Sequence, residues 1–97
     1  MNTLLHVGFG NMVNADKIVA ILQPDSAPVK RMVQHSKENG TVVDATQGRK
    51  TKSVLLMDQS SVVLSALTPE TISARVEKNE KLNQEQRRLD QEVEDWQ

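Results

Sequence analysis

The sequence predicts a small α+β domain: a mostly antiparallel sheet of about five strands, one packed helix and a C-terminal helix. Short apolar runs of strand length, rich in Val, Ile and Leu, alternate with turn residues such as Asn, Asp and Gly. Helix-start signals that combine Ser or Thr with Pro occur at residues 24–28 and 68–70. The length of 97 residues fits one domain.

The predicted strands comprise residues 4–7, 17–23, 41–46, 51–57 and 62–67. Residues 54–57 and 62–64 are continuously apolar, which is typical of strands buried on both faces. We expect one face of the sheet to contact the helix and the other to contact a second subunit. After the first strand, Gly8-Phe9-Gly10-Asn11 predicts a bulge or turn that presents the Phe9 ring to a neighbour. Residues 14–16 have the character of a turn.

Both helix starts carry capping residues. Asp25 or Ser26 is placed to cap the first helix, which ends at Asn39–Gly40. Thr68 is the predicted N-cap of the second helix, whose apolar spacing is lost after Val76. Residues 1–76 are therefore the predicted domain. Residues 77–97 form an acidic polar tail, for which a projecting helix, a weak coiled coil and disorder all remain open.

Composition excludes several classes of function. The chain has no cysteine, which excludes disulfides and thiolate metal sites, and only 2% of its residues are aromatic. With Phe9 and Trp96 as the only aromatics, a small aliphatic core favours association with copies of itself. No signal peptide or membrane-length apolar run is present, so we expect a cytoplasmic protein.

No catalytic or cofactor-binding pattern stands out. His6 and His35 are isolated, and Val13 occupies the position of the third glycine in a dinucleotide-binding loop. No nucleophile is paired with a base. We therefore expect no enzyme activity, cofactor, metal or small-molecule substrate.

The most distinctive segment is Gly48-Arg49-Lys50-Thr51-Lys52, which places three cations in a predicted turn between two strands. Arg49 is suited to bidentate phosphate contacts and the lysines to point-charge contacts, with Thr51 as a further donor. Lys17, at the start of another strand, is expected to join the same surface. An ordinary solvated turn is the alternative. The net charge is −1, but the basic excess lies before residue 68 and the acidic excess after it.

Several motifs in one order resemble a known family. They are Val7 to Asn11, Ala15, Lys17-Ile18, Pro24, Ser26 to Met32, Asp44 to Thr46, Gly48 to Thr51, Leu64 to Ala66 and Pro69 to Thr71. In combination they are similar to the bacterial extracellular matrix regulatory protein A (RemA) family over residues 4–76.

The resemblance implies a DNA-binding transcriptional regulator, which in the best-known members activates biofilm-matrix genes. It also implies a homo-oligomeric ring of about seven or eight subunits that binds and bends duplex DNA on its rim. Family residues tied to DNA binding fall on Lys17, Arg49 and Lys50, with lysine at 17 and 50 where relatives carry arginine.

The interface between subunits is expected to include Phe9, Asn11, Lys30 and Arg31. For Lys30 and Arg31, a solvated helix face and pairing with a neighbour's acidic tail or Asp58 both remain open. The alternative function is a ring-forming structural or protein-interaction module without intrinsic DNA affinity.

Overall fold

The computed structural model describes residues 4–95, although not the side chains of residue 83 and residues 90–95. It contains six strands: β1 (Leu4–Gly8), β2 (Asn11–Asn14), β3 (Ile18–Leu22), β4 (Val42–Asp44), β5 (Ser53–Met57) and β6 (Val62–Ser65). The helices are α1 (Ala27–Glu38) and α2 (Pro69–Asp95). Trp96, a predicted core aromatic, lies outside the described residues.

The strands form two sheets, a β1–β2 hairpin and a four-stranded sheet in the order β3-β5-β6-β4. In the larger sheet β5 is antiparallel to β3 and β6, whereas β4 is parallel to β6. The α+β class is confirmed, but the single sheet of about five strands is wrong. Strand β2 was missed because Asn-Met-Val-Asn has only two apolar residues; its strand conformation comes from pairing with β1.

The larger sheet is buried on both faces, as its continuous apolar runs predict. Val54, Val62 and Leu64 pack with Val29 of α1 on one face. On the other face Leu55 packs in a cluster that includes Leu5, Val7 and Ile72. The second face is thus covered by the hairpin and α2 of the same chain, so the expectation that a second subunit covers it is wrong.

Both helices begin at their predicted caps. The Ser26 hydroxyl accepts a hydrogen bond from the Val29 N–H, and the Thr68 hydroxyl accepts one from the Thr71 N–H. Helix α1 ends at Asn39–Gly40, where Gly40 has the predicted positive φ of 70°. Helix α2 has 27 residues, so most of the predicted tail is helical. No helix among residues 4–95 is long and apolar enough to cross a membrane.

Two buried serines fasten the hairpin and the start of α2 to the sheet. The Ser65 hydroxyl donates to the Val7 carbonyl at 2.7 Å and accepts from the Leu67 N–H at 3.1 Å. The Ser53 hydroxyl donates to the Leu67 carbonyl at 2.5 Å. Both serines are fully buried, so these hydrogen bonds satisfy backbone groups that water cannot reach. The hairpin is thereby held against the end of the sheet where β5 begins.

Candidate functional site

The three clustered cations lie on a connection that crosses the end of β6. This basic loop, residues 46–52, joins β4 to β5, and β6 lies between those two strands. It is a turn between two strands, as predicted, but the strands do not pair with each other. Its ends are fixed because the Ala45 N–H donates to the Leu64 carbonyl and the Lys52 N–H donates to the Ser65 carbonyl, both at 2.9 Å.

A tight turn begins the basic loop. The Arg49 N–H donates to the Thr46 carbonyl at 3.0 Å, and Gln47 and Gly48 between them have positive φ of 53° and 77°. Positive φ at both central residues is characteristic of a type I′ turn, which favours glycine. The Asp44 carboxylate accepts hydrogen bonds from the Thr46 hydroxyl at 2.6 Å and the Thr46 N–H at 2.9 Å. These two bonds hold the pKa of Asp44 below its usual value.

The cations of the basic loop are exposed and available. Arg49, Lys50 and Lys52 have exposed side chains, and none forms a salt bridge with a carboxylate of the described residues. Thr51 is half-buried beside them. Lys50 and Lys52 also line a groove with the first turn of α2, where Asp25 and Glu70 contribute negative charge. The loop therefore offers three positive groups that have no carboxylate partner within the described part of the chain, on a fixed backbone.

Phe9 lies next to this loop. It occupies the tip of the β1–β2 hairpin with a φ of 53°, which is uncommon for an aromatic residue, and its side chain is 52% exposed. The Arg49 guanidinium lies 6.0 Å from the centre of its ring, the outer range of a cation–π contact. The structure thus brings together a predicted interface residue and a predicted DNA-binding residue.

Asn11 supports the same hairpin tip. Its side-chain amide donates to the Gly8 carbonyl at 3.2 Å, across the turn that carries Phe9. Asn11 is half-buried, and this hydrogen bond is local to the hairpin, so its assignment to an interface stays a prediction.

Lys17 lies elsewhere. It precedes β3, whose residue Ile18 pairs with Met57 at the far end of β5 from the basic loop. Five strand residues separate those ends, which corresponds to roughly 16 Å. The Lys17 ammonium lies 3.4 Å from the Asp58 carboxylate, so Asp58 has a partner within its own chain. A single subunit therefore does not join Lys17 to the basic loop.

Lys30 and Arg31 are exposed on α1 and form no salt bridge with the described residues. Their assignment to an interface stays a prediction.

Two cations of α2 were not singled out in the sequence. Arg75 and Lys78 line a groove of about 570 Å³ with Leu4, Phe9 and Leu82. The Arg75 guanidinium donates to the His6 carbonyl at 3.0 Å, and the Asn79 amide donates to the Leu4 carbonyl at 3.4 Å. From Arg75 to Asn79 the helix advances about 6 Å, and from His6 to Leu4 the strand advances about 6.6 Å. Because the two steps match, α2 caps the outer edge of β1. Arg75 lies three residues after the apolar Ile72, and residues with this spacing share one side of a helix. The spacing could therefore have placed Arg75 beside the packed side of α2.

Residues 4–76 match the family described as extracellular matrix regulatory protein A-like. The chain belongs to the RemA-like family. It is 55% identical over 82 residues to a protein of Lachnoclostridium phytofermentans, an alignment that covers 84% of this chain and 90% of the relative. A Dictyoglomus turgidum protein is 54% identical over 78 residues, covering 80% and 92%. Both are named "Putative regulatory protein".

The RemA-like match includes every residue singled out as a site, from Phe9 to Lys52. The distal part of α2, after Val76, lies outside it. Among residues 4–95 there is no cluster of three His, Asp or Glu side chains that could hold a metal ion.

Proposed function

We propose that this RemA-like chain is a transcriptional regulator that binds duplex DNA as a ring, using one basic loop from each subunit. The observation that carries the proposal is the loop itself: three exposed cations, without a carboxylate partner among the described residues, on a backbone fixed at both ends. Arg49 supplies a planar fork for phosphate oxygens, and Lys50 and Lys52 supply point charges. The regulatory names of the relatives support the role.

Repetition of the basic loop around a ring explains how a chain with a net charge of −1 can bind a polyanion. The salt slope of binding is roughly −0.9 for each phosphate contact, and three contacts give weak affinity at cellular salt. Linking several identical sites raises avidity by ~10²–10⁴ when their spacing fits the ligand. A ring therefore converts a weak loop into a useful DNA-binding surface.

Lys17 contributes at the other end of the sheet. Because roughly 16 Å of strand separates it from the basic loop, the two groups would contact phosphates on opposite sides of a groove. Phosphate contacts carry no base sequence information, so affinity for bendable DNA is expected to exceed affinity for any particular base sequence.

The test is a fluorescence-anisotropy titration of a duplex at two salt concentrations. We expect Arg49→Ala/Lys50→Ala to lower affinity at least tenfold and to flatten the salt slope, because two phosphate contacts per loop are lost. Arg87→Ala/Arg88→Ala is the matched control: it removes the same charge from the distal part of α2 and should leave affinity within about twofold. Equal affinity of Arg49→Ala/Lys50→Ala and the unmodified chain would refute the proposal.

The acidic distal helix favours a second function, a ring that binds proteins rather than DNA. Residues 77–97 contain seven Asp or Glu and four Lys or Arg, which oppose a polyanion. This alternative predicts an assembled protein with no duplex affinity near 100 mM salt.

A further inference from the structure

The two outer strands of the four-stranded sheet have open edges. Among the described residues β3 pairs only with β5, and β4 only with β6. Val19 of β3 is 64% exposed and Val43 of β4 is 59% exposed, so each edge carries an uncovered valine. The hairpin and α2 cover one face of the sheet and α2 also contacts β3, but these two valines stay exposed.

Strand β3 has only one of the usual protections of a sheet edge, a bulge near its start. Its sequence, Ile-Val-Ala-Ile-Leu, contains no charged residue and no proline. Edge strands of soluble proteins are normally guarded by charges, prolines or bulges, because a bare apolar edge recruits other strands. A bulge lies at Val19, and regular pairing with β5 resumes over Ala20–Leu22. An edge of this kind is stable in water when another strand covers it.

The directions of the strands determine what kind of partner fits. Both β3 and β6 are antiparallel to β5, and β4 is parallel to β6, so the two outer strands run in the same direction. Two copies in the same orientation can therefore place β4 of one beside β3 of the next, in parallel. This contact is heterologous: each added copy keeps one free edge until a ring closes.

Charge is complementary across the same junction. Lys17 immediately precedes β3, and the C-terminal end of α1, with Glu38, precedes β4. A helix C-terminus carries partial negative charge and attracts cations. Lys37 also lies in the last turn of α1. The pKa of Asp44 is lowered mainly by the two hydrogen bonds from Thr46 and to a smaller extent by the charge of Lys37, so Lys37 lies close to a carboxylate of its own chain.

We propose that copies of this chain associate edge to edge, with β4 of one copy adding to β3 of the next in a continuous sheet. Val19 and Val43 are buried at each junction. This inference rests on the oligomer of the proposed function and names the surface that builds it. A closed ring leaves neither edge of the four-stranded sheet open to other proteins.

The decisive experiment is a complementation test by light-scattering mass measurement. Val19→Lys and Val43→Lys should each reduce the assembly to monomers, because every junction loses one compatible edge. When mixed, the two variants should form dimers and nothing larger, since Val19→Lys retains a native β4 edge and Val43→Lys retains a native β3 edge. Leu89→Lys is the control: it removes a 44% exposed leucine far from both edges and should leave the assembly intact.

Cysteine cross-linking gives an independent readout if a lysine variant unfolds. The natural chain has no cysteine, so Val19→Cys/Val43→Cys should give an oxidised ladder of multimers. Either single-cysteine variant should give no ladder.

The edge contact is overturned if the unmodified chain is assembled, both lysine variants keep the same mass and the double-cysteine variant gives no ladder. That result leaves the proposed ring standing. A monomeric unmodified chain overturns both.

Discussion

Replacing Ser65 by alanine should destabilise the fold far more than the loss of one oxygen atom suggests. The Ser65 hydroxyl is fully buried and bridges the Val7 carbonyl and the Leu67 N–H, so it joins β1, β6 and the start of α2. Alanine leaves both backbone groups without this partner. Each orphaned buried polar group costs about 1–3 kcal/mol.

Partial relaxation reduces the sum, and we expect Ser65→Ala to lower the free energy of unfolding by about 2–3 kcal/mol. For a chain of this length total stability is on the order of 5–15 kcal/mol, so the loss is a substantial fraction of it. The corresponding fall in melting temperature is roughly 8–24 °C.

Urea unfolding followed by circular dichroism measures the effect. Protein concentration must be held constant, because assembly adds stability that depends on it. Ser61→Ala is the matched control, since its hydroxyl donates to the Asp58 carbonyl at 3.4 Å on the surface and should contribute less than about 0.5 kcal/mol. The reasoning fails if Ser65→Ala and Ser61→Ala unfold at the same urea concentration.

Three further predictions follow from the site. Because hydrogen bonds from Thr46 lower the folded-state pKa of Asp44 below 3.8, its contribution to stability is complete above the unfolded pKa and disappears as pH falls through the folded value. Urea unfolding should therefore separate Asp44→Asn from the unmodified chain at pH 7 but not near pH 2; an equal gap at both pH values contradicts this. Phe9→Gly should raise the free energy of unfolding by about 1 kcal/mol, because glycine adopts the φ of 53° without strain. The same variant should lower duplex affinity about 2–5-fold, because Arg49 loses its contact with the Phe9 ring. Phe9→Ala should lower affinity equally without gaining stability, and unchanged affinity in both variants would refute a role for the ring. Deleting residues 83–97 removes five carboxylates and two arginines and should raise duplex affinity two- to fivefold, on the order expected for net-charge effects, in the same titration. An affinity that stays constant or falls would show that this segment does not oppose DNA.

Local signals predicted most of the elements. Ser26, Thr68 and the Asn39–Gly40 pair set the observed helix boundaries because capping depends on residues within one turn. The continuously apolar runs of β5 and β6 predicted burial on both faces for a similar reason: the pattern is read within one strand.

Contacts between residues far apart in the chain could not be predicted from the sequence. Nothing within residues 42–57 indicates that β6 lies between β4 and β5, or that the second face of the sheet is covered by the chain's own hairpin and α2. In the site, the basic loop was predicted from three adjacent cations. The contact of Arg49 with Phe9 and the separation of Lys17 depend on the order of the strands, which the spacing of charges does not encode.

The order of the strands also constrains when the protein can fold during synthesis. Of the four-stranded sheet, β3 and β4 leave the ribosome first, yet neither pairs with the other; β3 waits for β5 and β4 waits for β6. The nascent chain therefore holds β3, without a hydrogen-bonded neighbour, until about thirty more residues have been translated. The link between Val7 and Ser65 spans 58 residues, and the links from Arg75 to His6 and from Asn79 to Leu4 span 69 and 75 residues, so the hairpin is fastened only late in synthesis. Such long-range pairing favours slow folding.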